Sequence, residues 1–390
     1  MAGLQDRAAL VEGWCARDDL ATPDPYDIWK TGLGFRVKDF YNRHRRLGLL
    51  PAAACTLFDT YLNDRPRWGY QAQEYPIVRA WAALCLLNLH EREPAPRHLA
   101  AARRHLDWLL AHASPGYRGP CWGIAFRQPI SPGLVYGADL PLVTMTPYPL
   151  EAFVRYHEAT GDPDLPPVIR GIHAFLDRDV PLMDQGDDWE LPAYSARRDR
   201  RVVNATSYLL HALALALPYL DGAGQARARG RIARLGRYLE REQRPDGSWL
   251  YSPDGPPFID CFHTAIVLKN LVRADRRAGL PAAAAMVERG WQYLLQAFRD
   301  EGTGLFRRFA LANKPSLVRF DLYDNAEVVN LALLLGHDDL AASLAGATAR
   351  AFQRGDAIYS QIDRFGLRHN RNTLRWAVMP WLHALSRLPD

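Results

Sequence analysis

The strongest constraint on the fold of this chain is a double alternation along its length. Apolar residues recur at helical spacing in about twelve segments: 38–62, 74–91, 97–113, 146–160, 164–178, 203–218, 226–243, 260–276, 280–298, 322–335, 337–353 and 372–387. Every second segment is apolar nearly all round, as in Ser207–Leu217 and Thr264–Leu271, whereas its partner is amphipathic, as in Arg227–Arg241. A helix that is apolar on all sides must be buried, and an amphipathic one covers it. The links alternate as well. Those leaving the apolar helices are short, for example Glu91 to Arg97 and Leu335 to Asp338, while those entering them are long and rich in Gly, Pro and aromatic residues. Six buried helices inside six amphipathic ones predict an all-α (α/α)6 toroid of helical hairpins with its long loops on one face. Strand signals are confined to short pieces near 134–144 and 304–311. No composition shift marks a linker. Residues 38–390 are therefore expected to form one toroid domain, and residues 1–37 an N-terminal extension packed on it.

Composition narrows the function classes. Apolar residues make up 48% and charged residues 23%, which excludes a disordered tail or a disulfide-stapled miniprotein. The longest apolar runs, 80–89 and 207–217, are too short to span a bilayer. Of 48 basic residues only Lys30, Lys38, Lys269 and Lys314 are Lys, so nearly all the positive charge is Arg, the better planar clamp for carboxylates and phosphates. The densest basic stretch, Arg197-Arg198-Asp199-Arg200-Arg201, is interrupted by an acid, and no nucleic-acid partner is expected. Five cysteines form no CxxC pair, and the N-terminus has no apolar signal core; both point to the cytoplasm. Walker loop, dinucleotide fingerprint, diphosphate motif and nucleophile elbow are all missing, so no cofactor is expected.

In such a toroid the long loops and the N-termini of the inner helices open on the same end, where unpaired N–H groups concentrate. Polar residues cluster at these places: Glu74 before the first inner helix, Tyr208 on the third, Asp260 and His263 on the fourth, Asp321 and Asp324 on the fifth, and His369, Arg371, Arg375 and Trp376 at the sixth. Asp260 and His263 are three apart and share a helix face, so the acid can orient the imidazole for proton transfer, or it can simply cap the helix. Asp324 is the candidate second carboxylate. Arg371 and Arg375 form a candidate anion clamp with Trp376 beside it. Trp122, Trp249 and Tyr251, in Gly-flanked loops, are candidate platforms for a sugar ring. Asp260, Cys261 and His263, completed by Cys121 or His369, match no strong zinc spacing, and no metal is expected.

Several segments carry family resemblances. Leu239, Gln243, Gly247 and Trp249, in YLEREQRPDGSW, resemble the QW repeat of squalene-cyclase-like toroids, in which the Gln caps a helix end and the Trp ties neighbouring hairpins together. Prenyltransferase β-subunits share that toroid and bind zinc through Asp-x-Cys plus His; here Asp260-Cys261 lacks the spacer. A broader likeness is to the VpsJ-like proteins associated with bacterial exopolysaccharide genes. It is carried by CWGIAF at 121–126, TPYPLEAFVRYHEATGD at 146–162, PDGSWLYS at 245–252, FIDCFHTAIVLKNL at 258–271 and RNTLRWAVMPW at 371–381. This resemblance implies a carbohydrate-related role. In N-acylglucosamine 2-epimerase-like enzymes paired His residues lie on inner helices, a disposition that His263 and His369 resemble. Unsaturated-uronyl hydrolases of the fold use Asp instead, which Asp260 or Asp324 resembles. The expectation is a glycan-active hydrolase, lyase or epimerase of exopolysaccharide biosynthesis or modification, acting on a sugar or oligosaccharide. The alternatives are a terpenoid or prenyl-type cyclase or transferase, and a non-catalytic glycan-binding scaffold.

Overall fold

The computed structural model describes residues 4–389, with side chains from Arg7 onward. The chain begins with α1 (Leu4–Cys15), the single turn α2 (Asp27–Lys30), α3 (Gly32–Arg43) and α4 (Arg45–Leu57). Five hairpins follow, each an inner helix and then an outer one. They are α5 (Pro76–Arg92) with α6 (Pro96–Ala111), and α7 (Pro147–Thr160) with α8 (Leu165–Arg178). Next come α9 (Val203–Ala216) with α10 (Gly222–Glu242), α11 (Cys261–Ala278) with α12 (Ala283–Phe298), and α13 (Leu322–Leu335) with α14 (Asp338–Phe352). The inner helix α15 (Met379–Arg387) ends the series. Each inner helix packs on the next, and α15 packs back on α5, closing an (α/α)6 toroid.

Local sequence explains the boundaries. Proline opens α5, α6 and α7, where its missing N–H would have been unpaired in any case. Left-handed Gly161 and Gly336 end α7 and α13. The motif around Trp249 works as a strap: Trp249 Nε1 donates to Leu239 O at 2.8 Å, and Gln243 Nε2 donates to Met286 O of α12 at 2.9 Å. No helix among the described residues is long and apolar enough to cross a membrane.

The sixth outer position differs from the sequence expectation. The segment 38–62 does not fill it. His44 leaves helical geometry between α3 and α4, and Gly48 lets α4 cross over α3, since a Cβ there would lie 2.4 Å from Tyr41 Cα. The resulting hairpin leaves Leu47, Leu49, Leu50 and Leu57 exposed. The outer place between α5 and α15 is taken by α1, whose Val11 and Cys15 are fully buried.

A buried histidine fastens α1. His105 Nε2 donates to Cys15 O at 2.7 Å, because Arg79 Nη1 already donates to Nδ1 at 3.0 Å. Burial pushes the His105 pKa from the ordinary 6.5 down to about 4, and the Arg79 charge adds to this. Above pH 6.5 the imidazole is neutral in both the folded and the unfolded chain. As pH falls the unfolded chain takes up the proton first, so stability is expected to drop between pH 6.5 and 4, by about 3 kcal/mol. Urea titrations across this range check the drop, and His105→Gln is expected to flatten it; equal pH slopes in the two proteins would contradict the assignment.

The long loops carry short antiparallel ribbons that build the functional end. β1 (Gln128–Ser131) pairs with β2 (Leu134–Tyr136), and β3 (Leu182–Gln185) with β4 (Glu190–Pro192). β5 (Ile259–Asp260) pairs with β6 (Phe309–Leu311), in the register that sets Asp260 opposite Phe309. β7 (Val318–Asp321), β8 (Gln353–Arg354), β9 (Ala357–Asp363) and β10 (Arg368–Arg371) form one sheet in which β9 pairs with the other three.

Candidate active site

A cavity of about 430 Å³ opens at the N-terminal ends of the inner helices, walled by the ribbons and by α3. Asp260 is the N-cap of α11, accepting from the His263 N–H at 3.3 Å. Its two oxygens also lie 2.8 Å from His263 Nδ1. The cap and the imidazole partner are thus the same carboxylate. With Nδ1–H donating to Asp260, the lone pair sits on Nε2, which has no hydrogen-bond partner among the described residues and belongs to the cavity wall. His263 is held between Phe262 (ring centroids 3.9 Å apart) and Tyr251 (4.7 Å).

From Phe262 the wall continues to Tyr323 at 5.0 Å and Trp376 at 5.7 Å. Arg308 lies over Phe262 and Trp376, 5.4 and 5.6 Å from their centroids. Asp321 does not line the cavity; it caps α13 and fixes this wall from behind, accepting from Arg308 Nη1 at 2.6 Å and from Trp376 Nε1 at 3.3 Å. Arg308 makes its bonds through Nη1, which leaves Nε and Nη2 without protein acceptors among the described residues. Asp324 also lies behind the wall. Its Oδ1 accepts from the Phe262 N–H at 2.9 Å, and its Oδ2 has no hydrogen-bond partner. Burial drives the Asp324 pKa well above the ordinary carboxylate range, against the pull of Arg308.

Tyr208 and Tyr323 line the cavity floor, and the Tyr208 hydroxyl lies 2.5 Å from that of Tyr148. Burial raises the pKa of both lining phenols, so they stay protonated and able to donate at neutral pH.

The other residues singled out from sequence fall in different places. Arg375 and Trp376 line the cavity, but the Arg375 guanidinium is clamped on Asp24, 2.9 Å from its Oδ1 through Nη2. Arg371 is exposed on β10 and does not reach the cavity. His369 sits on the same strand rather than on an inner helix, with Nε2 3.1 Å from Asp363. The expected start of the sixth inner helix is a β-hairpin because Asn370 and Asn372 adopt left-handed φ of 59° and 56°, a conformation Asn tolerates. The helix proper begins at Met379, after a non-helical kink at Trp376 and Ala377 that aims Trp376 at the cavity. Glu74 accepts from the Leu20 N–H at 2.9 Å and pairs with Arg79, a tie for the N-terminal segment. Trp122 and Trp249 are buried in the barrel wall, each with its indole N–H on a backbone carbonyl. Among the described residues no group of three His, Cys, Asp or Glu side chains is placed to hold a metal.

Lys38, Lys314, Arg200 and Arg308 also line the cavity, and none was singled out from sequence. Arg308 follows the Gly304-Leu305-Phe306 loop, so proximity to a glycine-aromatic loop was its one signal.

No protein-family model matches the chain, and no curated protein does. Solved structures do. A sugar epimerase from a ruminal bacterium superposes with a TM-score of 0.61 at 12% identity, over 83% of this chain and 91% of that one. Cellobiose 2-epimerase from Bacillus thermoamylovorans gives 0.61 at 11% identity, over 81% and 87%. The GH76 α-mannanase from Bacteroides thetaiotaomicron gives 0.60 at 8% identity, over 94% and 98%. At these identities the likeness is one of fold: the chain has the (α/α)6 toroid that these carbohydrate-processing proteins share.

Proposed function

We propose that this protein is a carbohydrate-active acid/base enzyme that removes a proton from a sugar carbon next to a carbonyl or carboxyl group. That step opens both epimerisation or isomerisation and lyase-type elimination. The observation that carries the reading is the use of the carboxylates. Among the described residues Asp260 is the one acidic side chain lining the cavity, and it is spent on His263. Glycosidic hydrolysis by the usual route needs two carboxylates facing one bond. Asp324, the other candidate, faces Phe262 N and Arg308 behind the wall. An imidazole with a free Nε2 is the remaining base.

In this reading His263 Nε2 takes the carbon-bound proton and Asp260 steadies the imidazolium. Negative charge develops on the carbonyl or carboxyl oxygen, where the open N–H groups of Arg308 stabilise it. Tyr208 or Tyr323 supplies a proton to the product. Trp376 lines the cavity as a platform for the sugar ring, while Tyr251, stacked on Phe258, buttresses the imidazole. The setting we assign, on the segment resemblances above, is bacterial exopolysaccharide biosynthesis or modification. The test is a product screen by NMR over aldoses, β-linked disaccharides and uronate-containing oligosaccharides. Conversion to an epimer, a ketose or an unsaturated uronate is expected. Hydrolysis of a glycosidic bond as the catalysed reaction, or no conversion across the panel, would overturn the proposal.

A further inference from the structure

The cavity carries more positive charge than its carboxylates balance. Of the five basic side chains lining it, Arg308 is paired with Asp321 and Arg375 with Asp24. The Arg200 guanidinium bonds to the Tyr251 hydroxyl at 3.5 Å, lies over the Tyr194 and Tyr251 rings, and has no carboxylate partner among the described residues. Lys38 and Lys314 have neither a hydrogen bond nor an ion pair among the described residues. The two lysines come from separate elements, Lys38 from α3 and Lys314 from the loop between β6 and β7. Both belong to the cavity wall. Burial lowers the Lys314 pKa, and the Arg308 and Arg45 charges contribute in the same direction. Burial, together with the Lys314 charge, pushes the Lys38 pKa down to about 8. Among the described residues no carboxylate pairs with either lysine. Lys38 is left with the faces of Tyr26 and Trp29, 5.7 and 5.9 Å from the ring centroids.

Repelling, unpaired cations converging on a cavity are stabilised by an anion that enters it. We propose that Lys38 and Lys314, with the open N–H groups of Arg308 beside them, form a binding site for an anionic substituent of the substrate, a carboxylate or a phosphate. The substrate class is therefore an acidic sugar, either a uronate or a sugar phosphate, rather than a neutral one. The assignment of a sugar rests on the function proposed above; the anion site itself does not. The composition agrees. In a chain where Arg supplies nearly all the positive charge, two of the four lysines stand at this one place.

The experiment is calorimetric titration of the full chain with glucuronate, glucose 1-phosphate, glucose and inorganic phosphate. Wild type is compared with Lys38→Met, Lys314→Met, the double variant and the charge-keeping Lys38→Arg, each first checked for an unchanged melting temperature. At least tenfold tighter binding of a charged sugar than of glucose is expected. The double variant is expected to lose that preference at least tenfold, and Lys38→Arg to keep most of it. Preference for glucuronate identifies the carboxylate as the ligand group, and preference for glucose 1-phosphate the phosphate. Inorganic phosphate bound in a lysine-dependent way, with no sugar bound, would uphold the anion site and sink the sugar reading. Equal affinity for glucose and the charged sugars, charged-sugar binding untouched in the double variant, or no binding of any of the four would overturn the proposal. Should a methionine variant fail to fold, Lys38→Gln and Lys314→Gln replace it in the same comparison.

Discussion

His263→Gln is expected to lower kcat by about 10²–10⁴-fold, the usual contribution of a positioned acid/base group. KM and the melting temperature should barely move. The side chain is 20% exposed at the cavity, and among the described residues its imidazole bonds only to Asp260. Asp260 keeps its place as the α11 N-cap in this variant, so the helix start survives. Asp260→Asn differs. It removes the partner that sets the Nδ1–H tautomer, and it should cost as much turnover as the histidine variant. The shorter loss it brings to stability is small, since Asn caps a helix about as well as Asp. Steady-state kinetics on the substrate identified in the product screen, with a melting curve for each variant, checks both. A His263→Gln enzyme with wild-type kcat would remove the imidazole from the mechanism.

Glu327→Ala is expected to destabilise the fold by about 3–5 kcal/mol, the loss associated with leaving one partner of a buried ion pair uncompensated. Glu327 on α13 pairs with Lys269 on α11, and the two side chains are 0% and 2% exposed. Burial lowers the Lys269 pKa while the Glu327 charge supports the ammonium. A buried lysine with a lowered pKa is also the signature of a catalytic group. Lys269 does not line the cavity, however, and its bond goes to Glu327. Lys269→Met with Glu327→Leu, which removes both charges, is therefore expected to recover most of the stability and to keep the wild-type kcat. Urea denaturation measures the first quantity and initial rates the second. A well-folded double variant without activity would make the pair part of the chemistry.

These two sites show what could be seen in the sequence and what could not. The inner ring was legible because burial on all sides forces helices such as Ser207–Leu217 to be apolar all round, and because short and long links alternate. Asp260 and His263 were legible for a geometric reason: a spacing of three puts them on one helix face. The structure makes the acid both a cap and an imidazole partner, two roles that sequence presents as alternatives.

What remained hidden depends on contacts far apart in the chain. The segment 38–62 has helical periodicity, but only the crossing at Gly48 and the burial of Val11 and Cys15 show that α1 takes the outer place. His369 and Arg371 looked like helix-terminus residues because periodicity cannot register the left-handed Asn370 and Asn372. Trp122 and Trp249 looked like platforms because a loop tryptophan beside glycine has the same pattern whether it faces a ligand or the barrel wall. The lysines were the missed signal. Lys30 is held by Asp27, Lys269 by Glu327, and Lys38 and Lys314 line the cavity.

The most direct test of the account is hydrogen exchange at carbon. The full chain is incubated in D2O with the sugars of the product screen, and deuterium is followed by proton NMR at the carbon next to the carbonyl or carboxyl group. Wild type is predicted to place deuterium there when the product is an epimer or a ketose and to lose the hydrogen when it is an unsaturated uronate, and His263→Gln to do either at least 10²-fold more slowly. Turnover in which the original hydrogen stays on that carbon, or loss of that hydrogen at an unchanged rate in His263→Gln, would contradict proton abstraction by His263.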